Sequence, residues 1–172
     1  MIYNKKIIIF AESYYEDLEL WYPKIRLTEE GAKVIVAGAG DKVYKGKNGY
    51  PIEVDGNMWD YNAKDFSAVV IPGGWAPDKL RRYKEVLDFV REMYEDRKVI
   101  AAICHAPWVL ASAGIIKGKK LTCVSAIKDD MVNAGAEYFD KEVMVDGNII
   151  TSRMPNDLPA FCREIIRALT EK

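Results

Sequence analysis

Short apolar runs alternate along this chain with longer amphipathic stretches. Lys6 to Phe10 (KIIIF) is β-branched and bounded by polar residues, which predicts a buried strand. Glu16 to Glu30 predicts a helix with Leu18, Trp21, Tyr22 and Ile25 on one face and Gly31 as its stop, and Pro23 inside it predicts a kink or a later start. Strands follow at Lys33 to Ala37 and Ala68 to Ile71, with Tyr50 to Val54 as an edge strand. Lys84 to Asp96 reads as a helix through Val86, Phe89, Val90 and Met93, then Val99 to Ile103 as a strand and His105 to Ala113 as a helix. Short strands are expected at Leu121 to Val124, Glu142 to Val145 and Asn148 to Thr151, the last two joined by an Asp146-Gly147 turn. A closing helix runs from Leu158 to Leu169.

Strand and helix in regular alternation predict a single-domain α/β fold, a mostly parallel sheet with helices on both faces. The 172 residues suit one such domain, and no linker or repeat divides them. A net charge of −1 and the absence of a basic stripe give no reason to expect nucleic acid or an anionic membrane as partner. The N-terminal apolar run is too short for a signal peptide or a membrane span. Three widely spaced cysteines and one histidine argue against a disulfide framework and a metal site, and point to a reducing, cytoplasmic home. Nothing in the motifs calls for a cofactor: Gly38-Ala39-Gly40 lacks the third glycine of a dinucleotide fingerprint.

Ligands in open α/β sheets bind beyond the carboxyl ends of strands. Three such ends carry reactive groups: Glu12 to Asp17, Pro72-Gly73-Gly74 followed by Asp78, and Cys104-His105. A cysteine at a helix start is expected to have its thiol pKa lowered and to lie near N–H groups that could hold an oxyanion. A buried carboxyl nearby would stay protonated and donate to the thiolate. Gly73-Gly74 suits close backbone approach to a ligand, or simply a tight turn. Asp78 could orient His105 or cap the short helix after Pro77. The alternatives for Cys104 and His105 are a buried structural thiol and a helix-terminal imidazole.

The stretches YEDLE (15–19), PGGWAPD (72–78), AICHAP (102–107), IKDDMVNAG (127–135) and VDGNIITSR (145–153) stand in the order found in the PfpI/ThiJ family, which the chain resembles. The resemblance implies a flavodoxin-like three-layer sandwich of the class I glutamine-amidotransferase type, with a nucleophile elbow. It implies Cys104 as nucleophile, Glu16 as the carboxyl on its sulfur, His105 as the triad histidine, and Gly73 and Gly74 with the His105 backbone as the oxyanion site. It implies that Asp78 completes the triad from a neighbouring subunit, in a dimer or a hexamer built as a trimer of dimers. Asp78 is one methylene shorter than the family's glutamate, and Ala106 replaces a glycine, so its methyl is expected to crowd the pocket. The activity implied is peptide or amide hydrolysis first, and glyoxalase or deglycase chemistry on methylglyoxal-type aldehydes or their adducts second. A third reading is a redox sensor or chaperone-like protein working through oxidation of Cys104.

Overall fold

A computed structural model describes residues 1–171. The strands are β1 (Lys6–Phe10), β2 (Lys33–Gly38), β3 (Val43–Lys45), β4 (Pro51–Glu53), β5 (Gly56–Asn57), β6 (Ala68–Ile71), β7 (Val99–Ile103), β8 (Lys120–Leu121), β9 (Glu137–Tyr138), β10 (Val143–Asp146) and β11 (Ile149–Ser152). The helices are α1 (Asp17–Glu29), α2 (Ala76–Leu80), α3 (Lys84–Glu95), α4 (Pro107–Ala113), α5 (Lys128–Asn133) and α6 (Leu158–Thr170).

Seven strands form the central sheet in the order β10-β11-β7-β6-β1-β2-β5, and every pairing is parallel except β10 with β11. The chain steps from β1 to β2 in one direction and from β6 to β7 in the other. Right-handed crossovers then place α1 and α3 on opposite faces, and the reversal leaves a crevice at the carboxyl ends of β1 and β6. Helix α6 packs beside α1, whereas α3 and α2 pack beside α4. Both faces are therefore covered, and β6, β7 and, after Lys6, β1 are continuous apolar runs rather than alternating. Ile7, Ile8 and Ile9 are fully buried, each contributing about 2 kcal/mol of hydrophobic stabilisation.

Several expected elements differ. Helix α1 runs unbroken through Pro23, but Leu18 and Ile25 are exposed and Asp17, Glu19, Leu20, Pro23 and Leu27 are the buried set. A buried carboxyl within an otherwise apolar face misdirected the hydrophobic pattern. The expected edge strand near Tyr50 pairs instead with β3 as a separate hairpin, and β5 forms the sheet edge. Leu121 to Val124 contributes only β8, paired with β9 outside the main sheet. The helix expected from His105 begins at Pro107. No helix among the described residues is long and apolar enough to cross a membrane.

Candidate active site

Cys104 follows the last residue of β7 and adopts φ 65°, in the left-handed region that a side chain normally avoids. Hydrogen bonds hold it there from both sides. Its N–H donates to the Ser152 carbonyl at 3.0 Å, and its carbonyl accepts from the Val124 N–H at 3.2 Å. The next turn closes through the Ala106 N–H to the Ile103 carbonyl. The sharp corner turns the side chain out of the sheet and half exposes it. It also answers how adjacent residues can meet: His105 lies before the helix, and its Nδ1 sits 3.3 Å from the Cys104 Sγ.

Ala106 has φ −60° and ψ −29° and is fully buried in the core. Its methyl is part of the hydrophobic core.

The carboxyl that meets the sulfur belongs to Glu19, not Glu16. Glu16 is the N-cap of α1, its Oε2 accepting from the Glu19 N–H at 3.0 Å. Three residues on, one turn into the helix, Glu19 points into the protein with no solvent exposure. Its Oε2 accepts from the Gly73 N–H at 2.7 Å, and the Cys104 side chain packs against the same glycine. Among the described residues no N–H or O–H reaches its Oε1. Gly73 separates the two groups: a Cβ there would collide with Glu19 Oε2 and with the Cys104 side chain. Gly74, at φ +75°, has no room for a Cβ either, because the Glu16 nitrogen and the Tyr14 carbonyl oxygen already occupy that space.

Burial pushes the Glu19 carboxyl up to about 8, and the charge of Glu16 adds to the rise. The Cys104 thiol is pushed up to about 12, first by burial and then by Glu19, against the pull of the Gly74 and His105 N–H groups and of Lys47. The expectation of a thiol lowered by a helix terminus is therefore reversed. Helix α4 begins three residues beyond the sulfur, and burial dominates. The two acids titrate as a pair, because whichever ionises raises the other. When Glu19 holds the proton, its repulsion disappears and its O–H becomes a donor to the thiolate. Burial, then the charge of Lys47, lowers the His105 imidazole, favouring its neutral form.

His105 stands between two tryptophans, its ring centre 6.0 Å from Trp75 and 5.2 Å from Trp108. Trp75 is 61% exposed. The Trp108 Nε1 donates to Asp130 at 2.8 Å, and the Arg81 guanidinium lies over the Trp108 ring. Asp78 lies within α2, mostly exposed and paired with Arg82 at 2.9 Å, and it caps nothing. Among the described residues of one chain no carboxylate bears on His105. Two site residues escaped the sequence reading, Glu19 and Lys47. Glu19 could have been found from its place on the same helical face as Leu20, Pro23 and Leu27. No group of three or more His, Cys, Asp or Glu side chains among the described residues could hold a metal ion.

Residues 5–168 match the model of the DJ-1/PfpI family. Deglycase PfpI of Pyrococcus furiosus is 44% identical over 164 residues, spanning 95% of this chain and 99% of that protein. "Putative cysteine protease YraA" of Bacillus subtilis is 40% identical over 168 residues, spanning 96% and 99%. The crystal structure of Drosophila melanogaster DJ-1beta superposes with a TM-score of 0.91 at 34% identity, covering 98% of this chain and 91% of that one. With the elbow, the paired acids and these similarities together, the chain belongs to the DJ-1/PfpI family.

Proposed function

We propose that this protein is a cysteine-dependent enzyme that converts methylglyoxal-type aldehydes, or their adducts on amines, through addition of Cys104 to the carbonyl carbon. The observation that carries this reading is the buried Glu19 carboxyl beside the elbow sulfur, holding a proton near neutrality. The thiolate adds to the aldehyde carbon and a C–S bond forms. The carbonyl electron pair moves to oxygen, which takes the Glu19 proton, and the proton given up by the Cys104 thiol goes to Glu19 in its place. Neutral His105 removes the proton on that carbon and delivers it to the neighbouring carbonyl carbon while the hydroxyl proton passes to the neighbouring oxygen, leaving a thioester of a 2-hydroxy acid. Water cleaves the thioester and the thiol is restored. No oxidant or metal is consumed. The Gly74 and His105 N–H groups, already directed at the sulfur, are placed to hold the transient oxyanion.

Amide hydrolysis makes a further demand, since His105 must be oriented and must protonate an amine leaving group. Among the described residues of one chain His105 has no carboxylate partner. That favours aldehyde chemistry over the peptidase expectation. The peptidase reading keeps one support: Asp78 stands on an exposed face beside Trp75, where a second copy of the chain could bring it to another site. Assaying methylglyoxal consumption and peptide cleavage on one preparation, with Cys104→Ser as control, decides between them. Aldehyde turnover abolished in Cys104→Ser is expected. Peptide cleavage without aldehyde turnover would overturn the proposal.

A further inference from the structure

We infer that Trp108, itself held by Asp130, is the positioning residue for His105, so that an indole stands where a catalytic triad places a carboxylate. The inference rests on the proposed function only for the step that His105 performs.

His105 needs a fixed ring if its Nδ1 is to stay 3.3 Å from the Cys104 Sγ. An imidazole turns about two side-chain bonds, and in a triad a carboxylate on the second nitrogen stops that rotation. Here a neighbouring ring does so. Trp108 is the second residue of α4, and its N–H donates to the His105 carbonyl at 3.1 Å, so both side chains leave a single turn of chain. Their rings meet edge to face, with centres 5.2 Å apart and planes 62° apart, an arrangement that aromatic quadrupoles favour.

A ring that orients another must itself be fixed, and Trp108 is fixed from two further elements. Asp130 in α5 accepts from its Nε1 at 2.8 Å. Arg81, which ends α2, holds its guanidinium 5.3 Å from the indole centre, and its Nε donates to the Ser112 Oγ at 2.9 Å. Helices α2, α4 and α5 therefore converge on one side chain. Trp75, the other ring beside His105, lies 6.0 Å away and is exposed. Its backbone is tied to Tyr14, but no hydrogen bond holds its indole among the described residues.

Asp130 thus acts on His105 through one intervening ring, which gives the IKDDMVNAG stretch a part at the site. Its carboxylate is engaged by the indole rather than by the imidazole. The difference is chemical as well as geometric. A carboxylate against the imidazole stabilises the imidazolium, whereas an indole brings no full charge. Trp108 fixes the ring and leaves it ready to release the proton it takes, as transfer between two adjacent carbons requires.

His105 is the only histidine of the chain, so a long-range proton–nitrogen NMR spectrum of the labelled protein reports its two ring nitrogens without ambiguity. At pH 8 wild type should show one tautomer with well-separated nitrogen shifts. Trp108→Leu should move both toward the shifts of a free histidine side chain, where the tautomers exchange. Trp108→Phe keeps a ring in place and should restore most of the separation. Asp130→Ala, a change at an exposed position, should give a smaller shift of the same sign. In methylglyoxal turnover Trp108→Leu should lower kcat about tenfold with KM little changed. Nitrogen shifts equal in wild type, Trp108→Leu and Asp130→Ala overturn the inference. Wild type without aldehyde turnover, but with the expected shifts, overturns the proposed reaction and leaves the placement of His105 standing.

Discussion

The Glu19 carboxyl and the Cys104 side chain pack against the same glycine, Gly73, at a spot where a single added carbon would strike both. Three separate strand ends thereby converge: Glu19 follows β1, Gly73 follows β6 and Cys104 follows β7. The chemistry of the pair follows from that closeness, since neither acid can lose its proton without raising the other.

Stability should fall as pH rises, and Glu19 should be the cause. Its folded-state pKa of about 8 lies above the unfolded value of 4.5, so the native state holds more protons between these limits. The stabilising effect of that proton is complete below the lower value and is lost through the upper one. Urea unfolding of wild type at pH 5 and pH 8 should show a drop of several kcal/mol, and Glu19→Gln should remove most of it. An equal drop in the variant would mean that other groups set the pH dependence.

Glu16 and Glu19 should separate by readout. Glu16→Ala removes the acceptor for the Glu19 N–H and should cost about 1 kcal/mol of stability. The pH profile of Cys104 alkylation should keep its shape apart from the small effect of the Glu16 charge. Glu19→Gln should change that profile outright, because the coupled titration is gone. Measuring both variants by thermal unfolding and by alkylation rate assigns each carboxyl its part.

Gly74→Ala should be among the most damaging single changes at the site. The new methyl would meet the backbone of the β1–α1 loop, and φ +75° is strained for any side chain. A loss of about 2–4 kcal/mol is expected in thermal unfolding, together with an altered rate of Cys104 alkylation.

Much of the fold is legible in the sequence. The isoleucine run of β1 and the VIAAI of β7 admit little but buried strands, and the cysteine after the second already marked a site. The neighbours of the sulfur were harder to read. Leu18 and Ile25 suggest the wrong buried face for α1, and the resemblance points to Glu16, the N-cap, where the structure puts Glu19. Lys47 lies in a polar turn whose position is set by hydrogen bonds to Tyr15 and Asp17, partners that local sequence cannot disclose. The direction of the Cys104 shift depended on burial against helix position, a contest that only the packed structure decides.

The left-handed corner at Cys104 has a consequence for how this chain can change. A glycine would take that conformation without penalty, and a neutral side chain at position 19 would remove the burial of an acid. Each substitution would relax the fold and abolish the pair. The tip of the central sheet is therefore where robustness and reactivity pull apart. A search for hardier variants that ignored chemistry would be drawn first to these two positions.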